Sequence, residues 1–139
     1  PWPARDAVLW PGDLDGDGRT DWCTATAAGV ACGVDAHREL TTDGVPWGFA
    51  LAGIVDPSPT MITTGALADI DGDGLADLCS LRDRTIACGR SQGRGFGPAM
   101  VLGTMPAGAQ PTALWLGDLD GNGTADACVE DAATIRCVR

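Results

Sequence analysis

Eleven aspartates of this sequence crowd into three short stretches. GDLDGDGRTDWC (12–23) carries Asp13, Asp15, Asp17 and Asp21, and ADIDGDGLADLC (68–79) carries Asp69, Asp71, Asp73 and Asp77. GDLDGNGTADAC (117–128) carries Asp118, Asp120 and Asp126, with Asn122 where the third Asp would stand. Alternate side chains on a tightly curved loop converge on one point. Carboxylates gathered there repel one another unless a cation takes the centre. A hard divalent ion suits an all-oxygen set, and Ca²⁺ accepts about 6 to 8 oxygens from carboxylates, backbone carbonyls and water. Glycines between the aspartates let the chain wrap the ion, because glycine tolerates positive φ. The seventh loop residue (Arg19, Leu75, Thr124) varies in side chain, as a ligand working through its backbone carbonyl would. We therefore expect about three Ca²⁺ per chain rather than Mg²⁺, which demands near-ideal octahedral geometry. An EF-hand requires a bidentate Glu at its twelfth position; here that position is Thr24, Ser80 and Val129. These are nine-residue loops between strands.

The charge balance agrees. The chain of 139 residues has no Lys, and nine Arg face nineteen acids for a net charge of −10. Outside the loops the remaining eight acids balance eight Arg, Arg19 lying within the first loop. The acidity thus belongs to ion sites and says little about a cationic partner. No basic footprint for nucleic acid is present. No apolar run approaches the roughly 20 residues of a membrane-spanning helix. The start at Pro1 without Met reads as a mature or excised segment.

The elements that must position these loops recur with them. The first Asp of each loop is Asp13, Asp69 or Asp118, so the loops recur after 56 and then 49 residues, and a repeat of that length is one supersecondary unit stacked on its neighbours. In the second repeat TGALADI, ADLCSLR, TIACGR and PAMVLG read as four short strands bounded by Gly-rich turns. No window has convincing helical periodicity. Four strands per unit of about 50 residues is the propeller-blade pattern. The expected fold is all-β: antiparallel propeller blades, each with its ion loop between the first two strands. The repeats fall at about 8–56, 64–104 and 112–139, the last lacking its fourth strand. A closed propeller has about four to eight blades, so we expect the propeller to be incomplete. It would be completed by further copies or by the rest of a longer chain.

The loop motif, its following strand and GRGFGP (93–98) resemble the FG-GAP/VCBS repeat. Such repeats form the calcium-bearing blades of integrin α-type propellers and of seven-bladed propeller lectins. The resemblance implies Ca²⁺ loops between the first and second strands of each blade, with no enzymatic activity of the blades. The GFGP element occurs once, and WGFA (47–50) is its degenerate counterpart in the first repeat. The family's functions are adhesion, glycan binding and scaffolding, and the motif does not choose among them.

Each loop is followed by two cysteines nine residues apart: Cys23 and Cys32, Cys79 and Cys88, Cys128 and Cys137. Six cysteines allow fifteen pairings, and the repeat selects the local one, with each pair opposed across a hairpin. Zinc is the alternative, but no histidine partners stand at ligand spacing. Disulfides and calcium together point to an oxidising, extracellular compartment.

Trp10 and Trp115 hold equivalent strand positions and are expected in the core, as is Trp22 as packing. Trp2 and Trp47 lie in loop-like segments and are the candidates for an exposed ligand platform. His37, the single histidine, reads as a surface residue. Asn122-Gly-Thr124 is a glycosylation sequon, but Asn122 holds a loop ligand position, and we favour that role. No credible nucleophile or acid/base pair stands apart from the loops and cysteines, so no enzyme is expected. The expected function is a secreted, Ca²⁺-stabilised module that binds extracellular glycan or protein. The alternative is a structural assembly unit whose only partners are other blades.

Overall fold

The computed structural model describes residues 8–26, 29–33, 64–93, 95–132 and 134–138. Trp2, His37, Trp47 and the WGFA stretch lie outside them. The described residues contain no helix, and so none long and apolar enough to cross a membrane. In the first repeat the strands are β1 (Leu9–Gly12), β2 (Asp21–Thr26) and β3 (Gly29–Gly33). The second has β4 (Gly65–Ala68), β5 (Asp77–Arg82), β6 (Thr85–Gly89) and β7 (Met100–Thr104). The third has β8 (Pro111–Gly117), β9 (Asp126–Asp131) and β10 (Thr134–Val138). They form three antiparallel sheets in the orders β1-β2-β3, β4-β5-β6-β7 and β10-β9-β8, consistent with propeller blades.

Local chemistry sets the boundaries. β4 stops at Ala68 because the next residue, Asp69, opens the acidic loop. β7 starts beyond Pro98, which has no N–H to give a ladder. The hairpins β2–β3, β5–β6 and β9–β10 turn over two residues, between Thr26 and Gly29, Arg82 and Thr85, and Asp131 and Thr134. The turn opens with positive φ at Asp83 (50°) and Ala132 (44°). That is the twist a two-residue hairpin needs, and Asp accepts it more readily than Ala. Counting outward from these turns, each cysteine pair falls on a non-hydrogen-bonded position, where opposed residues approach most closely.

The core lies between blades, not within one. β1 adjoins β4 and β4 adjoins β8, so the first strands of successive blades are neighbours. One apolar cluster joins Trp10, Leu14, Cys23 and Val30 of the first blade to Ala76, Leu78 and Phe96 of the second. Another joins Cys79, Leu81, Ile86 and Cys88 of the second blade to Leu114, Ala127 and Val129 of the third. Leu78 faces one way and Cys79 the other. β5 is covered on both faces and buried along nearly its whole length, so its sequence reads DLCSLR rather than a clean apolar–polar alternation.

One expectation needs correction. Trp10 is buried, but its equivalent Trp115 is 58% exposed. Trp10 has the second blade over it. Among the described residues, none follows the third blade to cover Trp115.

Candidate metal centres

Each loop folds by using its own aspartates as hydrogen-bond acceptors. In the first loop the Gly16 and Gly18 N–H groups donate to the two carboxylate oxygens of Asp13, each at 2.8 Å. Asp15 accepts from the Asp17 N–H at 3.2 Å and Asp17 from the Arg19 N–H at 2.8 Å. The second loop repeats the pattern on Asp69, Asp71 and Asp73. The third repeats it on Asp118, Asp120 and Asn122, whose side-chain oxygen takes the place of a carboxylate. The glycines at the fourth and sixth loop positions have φ between 76° and 91°, a backbone closed to most L-residues without strain.

The ninth loop residue is different. Asp21, Asp77 and Asp126 begin the second strand of each blade and are almost completely buried. Each accepts the N–H of the second loop residue on Oδ2: Leu14 at 2.9 Å, Ile70 at 3.0 Å and Leu119 at 3.0 Å. This bond ties the start of the loop to the strand that leaves it.

Three carboxylate groups result, and within each a ligand oxygen from every member lies within 4.8 Å of the others. They are Asp13, Asp15 and Asp17; Asp69, Asp71 and Asp77; and Asp118, Asp120 and Asp126. Asp21 and Asp73 stand outside these groups. Arg19 and Leu75 and Thr124 hold the seventh position, where the expected ligand is a backbone oxygen. The donor sets are all oxygen and all anionic. A carboxylate has about four lone-pair sites, so one that accepts two N–H bonds still has capacity for a cation. The residues present fit a hard divalent ion.

The electrostatics of the middle loop favour a cation. Burial pushes the Asp77 carboxyl up to about 6, against the N–H bonds from Ser91 and Ile70, and the neighbouring Asp71 and Asp73 push it further. Asp118, at the exposed end of its loop, is held below the usual carboxylate range chiefly by the Gly123 N–H, with Gly121 and Asn122 adding to it.

The aspartate pattern itself does not reveal the residues that support the second loop. Ser91 donates its N–H to Asp77 Oδ1 at 2.7 Å, while its hydroxyl donates to the Leu14 carbonyl of the first loop at 3.0 Å. Arg90 Nε reaches Asp71 Oδ2 at 3.1 Å. Phe96 is buried against the first blade, and its segment folds back through Gln92 N–H to Gly95 and Gly97 N–H to Arg90, both 2.8 Å. The GFGP element is thus the plug of the blade junction. Its position after the third strand was the available clue.

All six cysteines are in disulfides: Cys23–Cys32, Cys79–Cys88 and Cys128–Cys137, each with Cα atoms 4.0 Å apart. Three disulfides suggest an oxidising environment. Trp2 and Trp47, the candidate ligand platforms, lie outside the described residues.

Residues 69–129, which run from the first aspartate of the second loop into β9, match the FG-GAP-like repeat family. That stretch is FG-GAP-like repeat. No curated protein matches the chain.

Proposed function

From the FG-GAP-like repeats we propose a secreted, non-catalytic β-propeller module in which each of three loops binds one Ca²⁺ as a structural ion, and whose assembled blades bind an extracellular glycan or protein. The observation that carries the calcium reading is the recurrence of one carboxylate cluster in three loops, each built on the same hydrogen bonds. In the second and third loops a buried strand aspartate joins the cluster. Asp13, Asp15 and Asp17 would hold the first ion, with the Arg19 carbonyl and Asp21 completing its surroundings. Asp69, Asp71, Asp73, Asp77 and the Leu75 carbonyl would hold the second. Asp118, Asp120, Asn122, Asp126 and the Thr124 carbonyl would hold the third. The ion supplies positive charge that relieves the carboxylates and pins the first strand of a blade to the second. Isothermal titration with Ca²⁺ tests this directly: about three ions per chain are expected, and fewer than two would sink it.

A second reading has its own support. Blade three exposes Trp115, Leu119 and Ile135 together. That favours a unit whose partners are other blades, with no separate ligand. A glycan array probed in millimolar Ca²⁺ separates the two. Specific hits support the binding module, and silence from a folded, Ca²⁺-loaded protein supports the assembly unit.

A further inference from the structure

Four positions recur on one face of each blade. In the first they are Trp10, Leu14, Cys23 and Val30, no more than 3% exposed, beneath the second blade. In the second they are Ala66, Ile70, Cys79 and Ile86, packed in the cluster shared with the third blade. In the third they are Trp115, Leu119, Cys128 and Ile135. Here Trp115 is 58%, Leu119 63% and Ile135 70% exposed. Strand register fixes the equivalence, since Trp10 pairs with Cys23, Ala66 with Cys79 and Trp115 with Cys128. The open face therefore continues the two junctions the chain already contains.

Those junctions also show what fits such a face. Trp10 lies over Gly65, so closely that a Cβ there would stand 2.6 Å from the indole ring. At the next junction the sizes are exchanged. Ala66 replaces the Trp, and the residue equivalent to Gly65 is Leu114, buried in the same cluster. Register again fixes this equivalence: Gly65 pairs with Ser80, and Leu114 with Val129. Each junction holds one large and one small residue. Interiors packed to crystal density leave no room for two large ones.

We propose that the open face of the third blade receives a further blade of the same repeat type that carries glycine at the position of Gly65, and not a second copy of this chain. This rests on the assembly reading above. A second copy would present its own first blade, where the equivalent residue is Leu9, paired with Thr24 and 39% exposed. Trp115 would then meet Leu9, large against large. A blade with glycine there gives Trp115 the seat that Gly65 gives Trp10.

The test is a size-swap cycle read by sedimentation equilibrium of the full chain in millimolar Ca²⁺. Wild type should associate weakly. Leu9→Gly turns the chain's own first blade into the proposed occupant and should tighten head-to-tail association about tenfold. Trp115→Ala recreates the Ala66–Leu114 arrangement against Leu9 and should tighten it similarly. The double variant, small against small, should fall back toward wild type. Both sites are solvent-exposed, and unchanged Ca²⁺ stoichiometry verifies folding of each variant. A merely sticky patch behaves otherwise: Trp115→Ala would weaken association in either background and Leu9→Gly would change nothing, which overturns the inference while leaving the assembly reading intact. Tight wild-type association abolished by Trp115→Ala would instead make the second copy the occupant. No association in any of the four proteins overturns both readings.

Discussion

The N–H of Ala76, in the second loop, donates to the carbonyl oxygen of Asp13, in the first, at 2.6 Å. Ala125 repeats the bond on Asp69 at 2.7 Å. The first aspartate of a loop therefore turns its carboxylate to its own cluster and its carbonyl to the next loop. A change in one loop's backbone must be felt by its neighbour. In Asp71→Ala we expect Ca²⁺ stoichiometry to fall from about three to about two, with the remaining sites weakened severalfold. Titration calorimetry measures both. Loss of all three sites, or of none, would show that the loops are not separate ion centres.

The blade junction depends on the segment after the third strand. Phe96→Ala should cost about 3–5 kcal/mol, the usual range for emptying a buried aromatic site. Ser91→Ala leaves the Leu14 carbonyl without the hydroxyl that donates to it and should cost about 1–3 kcal/mol. Urea unfolding in Ca²⁺ checks both. Values near zero would mean that the first and second blades do not share this core.

Protonation of Asp77 should oppose calcium. Its carboxyl titrates near 6 when folded against an ordinary value of 3.8, so folding the ion-free protein takes up a proton between those values. Stability without the ion therefore falls as pH rises through about 6. With the ion, the carboxylate form is the useful one. In chelator the melting midpoint should be higher at pH 5 than at pH 7, and the gain on adding Ca²⁺ should be larger at pH 7. The lowered Asp118 carboxyl acts below this window, because its contribution is lost only as pH falls below the ordinary carboxylate range. A calcium gain independent of pH would count against Asp77 as part of the site.

Peptide mapping without reductant should recover only Cys23–Cys32, Cys79–Cys88 and Cys128–Cys137. Each bridge closes a short loop, so losing one should cost roughly 2–3 kcal/mol. Cross-repeat bridges would contradict the hairpin register.

The repeating parts of the molecule were the legible ones. Asp13, Asp69 and Asp118 announced the loops, and the even cysteine spacing announced a hairpin centred between its two sulfurs. The four strands of the second repeat followed from turn residues at their ends. What the sequence hid was relational. Nothing local separates Trp10 from Trp115; one is buried and the other exposed because of what stands in the next blade. Ser91 looks like any loop serine until the fold brings it to Leu14, distant in sequence. Asp77, by contrast, is buried as Asp21 and Asp126 are, at the start of the second strand of its blade, so its burial recurs with the ninth position of the motif.

Thermal melting in chelator and in millimolar Ca²⁺ tests the central claim most directly. Each ion that binds only the folded chain adds about 2.7 kcal/mol at a hundredfold excess over its Kd, and a domain's whole margin is about 5–15 kcal/mol. Three occupied loops should therefore raise the midpoint by well over ten degrees, while the disulfides keep the hairpins of the ion-free form closed. A midpoint indifferent to Ca²⁺ would contradict the account and leave the aspartate loops without a structural role.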